Sequence, residues 1–99
     1  MTFARITVYV VIAYEPVWAI GTGLVCDSDV ANDVHKDIRK VLSKMYDEDV
    51  AQATRIQYGG SVTPDSVDEL MSKSDIDGCL VGGASLFADK FARIVNFTA

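Results

Sequence analysis

Ninety-nine residues with nine basic and fourteen acidic side chains, a formal charge of −5, 49% apolar and 23% charged content, describe a globular chain and exclude a disordered one. The acidic balance argues against nonspecific binding to nucleic acid or an anionic membrane, which needs clustered Lys and Arg, so any anion must be held locally. Cys26 and Cys79 lack metal-ligand spacing, so no metal site is expected and both read as free thiols of a cytoplasmic protein.

The opening Met1-Thr2-Phe3-Ala4-Arg5-Ile6-Thr7 has one basic residue and leads into an apolar run too short to span a bilayer, so neither a signal peptide nor a membrane helix is expected. From there, three apolar strand candidates alternate with three helix candidates, the signature of parallel βα units in a single α/β domain over residues 1–99. The first strand is expected at roughly residues 8–14, where a continuous apolar, β-branched run predicts burial on both faces. Glu15 then stands at a strand's carboxyl end. Pro16 stops the strand, because it cannot donate to a ladder and fixes its own φ, while Gly21 and Gly23 free the far side of the segment. With an exposed Trp18 between them, the pattern is that of a hinged loop able to close over a small ligand and exclude water.

The helix after this loop carries Val34, Ile38, Val41, Leu42 and Met45 on one face and Asp33, Lys36, Asp37, Arg39 and Lys40 on the other, with Asp27 as its N-cap. His35 reads as a surface residue on the polar side. Asp47-Glu48-Asp49 reads as a solvated turn. A second strand, Thr54 to Tyr58, ends in Gly59-Gly60, and Thr63-Pro64 supplies an N-cap and a first helical position for a helix through Val67, Leu70 and Met71. A third strand near Asp77 to Val81 ends in Gly82-Gly83, and a last helix carries Phe87, Phe91, Ile94 and Val95 on one face.

Glu15 has two readings, a strand-end partner in a surface ion pair or a base. A carboxylate suits proton transfer between adjacent carbons, because one group can take the proton from one and return it to the other, and closure of a loop would strip it of water and make it more basic. Trp18 reads as core packing, as part of the hinge, or both. Each glycine pair alone could be a tight turn with no ligand. Together, two glycine-rich strand-to-helix junctions, Gly59-Gly60-Ser61 and Gly82-Gly83, can aim backbone N–H groups at one dianion without any lysine.

Three segments, Tyr14-Glu15-Pro16-Val17-Trp18-Ala19-Ile20-Gly21-Thr22-Gly23, Tyr58-Gly59-Gly60-Ser61-Val62 and Asp77-Gly78-Cys79-Leu80-Val81-Gly82-Gly83-Ala84-Ser85-Leu86, resemble in order and spacing three motifs of the triosephosphate isomerase family. The similarity runs from about Val10 to the carboxyl terminus. It implies a partial TIM (β/α)8 barrel of three parallel βα units, the last three of eight. It also implies a cofactor-independent isomerase that interconverts dihydroxyacetone phosphate and glyceraldehyde 3-phosphate in glycolysis and gluconeogenesis. Carried over residue by residue, the resemblance makes Glu15 the base and assigns the substrate phosphate to Gly21, Ser61, Gly82 and Gly83. Pro16, Val17, Trp18 and Gly23 become loop hinges, Tyr58 the latch of the closed loop, and Arg39–Asp75 a structural ion pair.

The family also uses a lysine and an asparagine from its first strand and a histidine and a glutamate from its fourth, none of which this stretch supplies. The chain alone is therefore expected to be inactive, because a base without its electrophile loses a donor typically worth about 10²–10³ in rate. Leu24-Val25-Cys26 departs from the family's usual distal hinge, so different loop kinetics are expected. Asp27-Ser28 replaces the frequent Thr-Pro or Ser-Pro helix start. Three parallel strands leave two open edges and an uncovered inner face, so the implied partners are a complementing amino-terminal barrel fragment or further copies in a homo-oligomer, with a small phosphorylated triose as substrate. The alternative is a noncatalytic phosphate-binding or assembly remnant of the barrel. A truncated product, a split-gene half and an isolated fragment all fit the sequence.

Overall fold

A computed structural model describes residues 9–19 and 26–99. β1 (Val11–Tyr14), β2 (Arg55–Tyr58) and β3 (Gly78–Cys79) pair side by side, all parallel, in the order β1-β2-β3. The ladder extends past the short third strand, since Asp77 N donates to Ile56 O at 3.0 Å and Leu80 N to Tyr58 O at 2.8 Å. The expected architecture of three adjacent parallel strands, each followed by helix, is present.

Side-chain alternation divides the sheet into two faces. Register pairs Ile12 with Ile56 and Tyr14 with Tyr58 on the face covered by helices, and Val11 with Arg55 and Ala13 with Gln57 on the other. Ile56 and Tyr58 are fully buried, whereas Val11 is 47% exposed. This corrects the expectation that the first strand runs from residue 8 and is buried on both faces: the described Tyr9 and Val10 are not strand, β1 begins at Val11, and among the described residues only one face meets helices. A continuous apolar run states that both faces want cover, not that both have it.

α1 (Ser28–Met45) opens on Asp27, whose Oδ1 accepts from Asp29 N at 2.8 Å and Val30 N at 3.3 Å, the expected cap. Its buried face follows the expected apolar row only in part: Leu42 is buried and Ile38 packs against the Leu42, Ala51 and Ile56 cluster. Ala31, Asn32, His35, Arg39 and Leu42 face inward, while Val30, Val41 and Met45 are exposed. His35 is fully buried, so its reading as a surface residue is overturned. The reason is hydrogen bonding: the loop before β3 offers Asp75 and its carbonyl to this row, and Arg39 and His35 are buried because they are paired.

Asp47-Glu48-Asp49, expected as a solvated turn, starts a second helix. Asp47 Oδ1 accepts from Val50 N at 2.8 Å and caps α2 (Glu48–Ala53), which buries Val50 and Ala51. The next helix, α3 (Val67–Met71), takes Ser66 as its N-cap with no side-chain cap bond, so the expected cap at Thr63 and first helical position at Pro64 are overturned. In the turn before it, Thr63 Oγ1 accepts from Ser66 N at 3.2 Å and Ser66 Oγ accepts from Thr63 N at 3.0 Å. A 3-10 turn (Gly83–Leu86) precedes α4 (Ala88–Val95). Of the apolar row expected on this last helix, only Ile94 is buried; Phe87, Phe91 and Val95 stay exposed. An apolar cleft of about 570 Å³ lies between α3, β3 and α4, lined by Met71, Leu80, Phe91 and Phe97 among others.

Arg39 organises the opposite end of the sheet from these turns. Its Nε donates to Asp75 Oδ1 (3.0 Å), Nη1 to Ala51 O (2.7 Å) and Thr54 O (2.9 Å), and Nη2 to Asp75 O (3.2 Å) and Asp77 Oδ2 (2.9 Å). All five guanidinium N–H groups are thereby used. Asp77 Oδ2 also accepts from Ile56 N at 2.9 Å, so one carboxylate joins the helix to β2 and to the start of β3. Arg39→Ala strands two carboxylates and three carbonyls, and should cost about 3–5 kcal/mol, a large part of the stability of a domain this size. Urea denaturation followed by circular dichroism checks this; a loss below about 1 kcal/mol would show that the network does not hold the sheet.

Candidate functional site

Extending the alternation of β1 by one residue puts Glu15 on the open face with Val11 and Ala13, and Glu15 is exposed. Pro16 behind it is fully buried, and Val17–Ala19 form a 3-10 turn, so the chain leaves the strand in a fixed direction. Val17 and Trp18 are 77% and 50% exposed, which sets Trp18 at the surface of this turn and out of the core. Gly21 and Gly23, named from the sequence, lie outside the described residues. Cys26, the next described residue, is buried.

Glu15 and the second glycine junction come together. Gly59 N donates to Tyr14 O at 2.8 Å. A β-carbon on Gly59 would stand 2.9 Å from Glu15 Cγ, so the absence of a side chain lets the Glu15 stem lie across the start of Gly59-Gly60-Ser61. Gly60 is constrained from within. A β-carbon there would collide with the Tyr58 hydroxyl and approach Pro16 Cγ at 3.0 Å, so the Tyr58 ring folds back over the junction that follows it.

Tyr58 is fully buried, and its hydroxyl has no hydrogen-bond partner among the described residues. Burial first, and the neighbouring Cys26 thiol second, push its pKa up to about 12. Cys26 shares the apolar cluster of Tyr58, Val62 and Val67, and its Sγ donates to Asp27 O at 3.5 Å. Burial raises its pKa also, so it is a protonated packing residue and not a reactive thiol. Tyr58 thus lies in one cluster with Cys26, the first described residue after position 25.

The third junction is open. A β-carbon on Gly82 or Gly83 meets nothing within 4 Å. Ser85 N and Oγ both donate to Gly82 O, at 2.9 and 2.5 Å, and close the 3-10 turn on itself. The first N–H groups of such a turn have no partner inside it, and here Gly83 and Ala84 supply them. Ser61 is exposed as well. The large apolar cleft is elsewhere, and neither Glu15 nor Ser61 lines it.

One residue of consequence was missed in the sequence, His35. The signal was Ala31, His35, Arg39 and Leu42 on one helical row, a small and an apolar residue bracketing two polar ones.

Among known proteins, the family model described as triosephosphate isomerase matches residues 3–98. Curated relatives of that name include those of Finegoldia magna, 59% identical over 88% of this chain, Thermoanaerobacter sp. strain X514, 58% over 91%, and Clostridium perfringens strain SM101, 59% over 89%. The aligned stretch is 35–36% of the length of each of these relatives, so the chain spans about a third of them.

The contrast between the junctions yields a test of the geometry. Gly60→Ala should destabilise the chain by about 1–3 kcal/mol, because the Tyr58 ring must move, while Gly83→Ala should change stability by less than about 0.5 kcal/mol. Thermal unfolding of the two variants checks the pair; equal losses would place the Tyr58 ring wrongly.

Proposed function

Because the chain belongs to the triosephosphate isomerase family, we propose that it supplies the proton-transferring carboxylate and two phosphate-holding junctions of that isomerase, acting with the barrel units that its relatives have and this stretch lacks. The carrying observation is the Glu15 stem lying against Gly59, which sets a carboxylate beside a glycine junction at the carboxyl ends of parallel strands. Glu15 takes a proton from the carbon next to the carbonyl of a triose phosphate and returns it to the neighbouring carbon, so dihydroxyacetone phosphate and glyceraldehyde 3-phosphate interconvert. Gly21, Ser61, Gly82 and Gly83 hold the phosphate through N–H and hydroxyl donors, and the open space around Gly82 and Gly83 supports this.

Pro16, Val17 and Trp18 form the near hinge and Gly23 the far one, and Tyr58 latches the closed loop. The buried Tyr58 hydroxyl beside Cys26, the first described residue after that segment, supports that role. The electrophile comes from elsewhere: the one histidine of the sequence, His35, is buried against Asp75 and cannot reach a substrate. The edges of β1 and β3 that carry no partner strand among the described residues pair with the remaining barrel units. No described helix is long and apolar enough to cross a membrane, and two free thiols fit a reducing compartment such as the cytoplasm.

A coupled assay tests the reaction. The chain alone should show no useful turnover. Mixed with a separate polypeptide carrying the first five βα units of a relative, it should turn over glyceraldehyde 3-phosphate, and Glu15→Gln should cut that rate about 10²–10⁴-fold. Turnover by the unaided chain, or indifference to Glu15→Gln, would contradict the roles proposed.

Phosphate binding is tested separately by NMR titration of the chain with inorganic phosphate. Shifts should centre on Ser61 and Gly83 and vanish in Gly83→Val, a substitution for which the fold has room. Shifts confined to residues far from both would contradict the site.

A further inference from the structure

His35 takes no part in the proton transfer just proposed, yet it is fully buried beside the strand that carries Glu15. Its Nδ1 lies 3.1 Å from the Asp75 carbonyl oxygen. A carbonyl only accepts, so Nδ1 bears the hydrogen, and in the neutral ring Nε2 presents a lone pair. That Nε2 is buried without a hydrogen-bond partner among the described residues. The second hold on the ring is aromatic: it meets Tyr14 edge to face, with centroids 5.8 Å apart and planes at 84°. Tyr14 is the last residue of β1, it is tied to β2 by its carbonyl, and Glu15 follows it directly.

We infer that His35 is a positioning residue for Glu15: the imidazole, fixed on the Asp75 carbonyl, braces the Tyr14 ring and so sets the direction in which β1 presents the carboxylate. The inference rests on the reading of Glu15 as the base. A misplacement of about 1 Å at a reacting group can cost on the order of a hundredfold in rate, so a brace one residue away has leverage. The charged groups facing the ring are Asp75 and Asp77 from the approach to β3 and Arg39 from its own helix, with Tyr14 the titratable group on β1. Burial outweighs the two carboxylates and holds the His35 pKa below the ordinary histidine range. The brace is therefore neutral at pH 7 and is disturbed when the ring takes a second proton in acid.

Because the chain has one histidine, nitrogen-15 NMR follows its two ring nitrogens without ambiguity. At pH 7 the expected state is Nδ1 protonated and Nε2 bare. On acidification the Tyr14 and Glu15 amide resonances should move with the same midpoint as the ring, below the ordinary histidine range. His35→Asn keeps a donor for the Asp75 carbonyl but removes the ring. It should shift the Tyr14 and Glu15 amides, and lower kcat of the complemented enzyme about tenfold with KM unchanged. An Nε2-protonated ring at pH 7, Tyr14 and Glu15 resonances that ignore both titration and substitution, or a kcat that falls only as the folded fraction falls would overturn the inference. Absence of turnover with His35 in place would instead count against the proposed reaction, and the resonances alone would then decide the bracing.

Discussion

The Arg39 guanidinium is the point on which the sheet turns. Three parallel strands cannot be joined by tight hairpins, and each crossover must be held in register by something outside the ladder. Here one planar group with five donors touches the carbonyls that end α2 and precede β2, and the carboxylates that precede β3. Asp77 passes the constraint on by accepting from Ile56 N, so the same carboxylate that pairs the helix sets where β2 begins. A buried cation this fully bonded is not a source of large net stability against a well-packed apolar alternative. Its contribution is to make other registers costly, since any slip leaves a charge or several carbonyls unpaired in the interior.

Everything at the other end of the strands follows from that register. Tyr14 stands beside Tyr58, Gly59 N reaches Tyr14 O, and Leu80 N reaches Tyr58 O. The period of two then sends Tyr14 and Tyr58 into the helical layer and Glu15 to the open face, next to a residue that must lack a side chain. The same parity separates tasks: the helical face holds Ile56, Tyr58 and His35, while the open face carries the carboxylate. The open face is the surface that a closed barrel would cover.

Much of this was legible in the residues. The alternation of apolar runs with helical periods gave the parallel units, Asp27 announced the start of α1, and Pro16 and the glycine pairs marked the strand ends. What escaped depended on partners far along the chain. His35 looks like a surface residue because its acceptor, the Asp75 carbonyl, is a backbone group forty positions away that no side-chain pattern reveals. Part of the α1 face was misjudged for a related reason: Arg39 and Asn32 are buried because Asp75 and Ser74 meet them, whereas Val41 and Met45, more apolar, stay largely exposed. Asp47 was a missed cap, although Asp47 with the helix-forming Ala51-Gln52-Ala53 behind it carried the signal. The candidate site residues rest mainly on motif resemblance, and the geometry adds why Gly59 and Gly60 lack a side chain.

Amide hydrogen exchange tests the central claim, that Arg39 sets the register which brings the strand ends together. The amides of Ile56, Gly59 and Leu80, which bond Asp77, Tyr14 and Tyr58 respectively, should be among the slowest in the chain. Arg39→Lys, which keeps the charge but not the fork of donors, should speed all three together. An Ile56 amide exchanging at the rate of a loop, or Gly59 and Leu80 left unchanged in Arg39→Lys, would contradict the account.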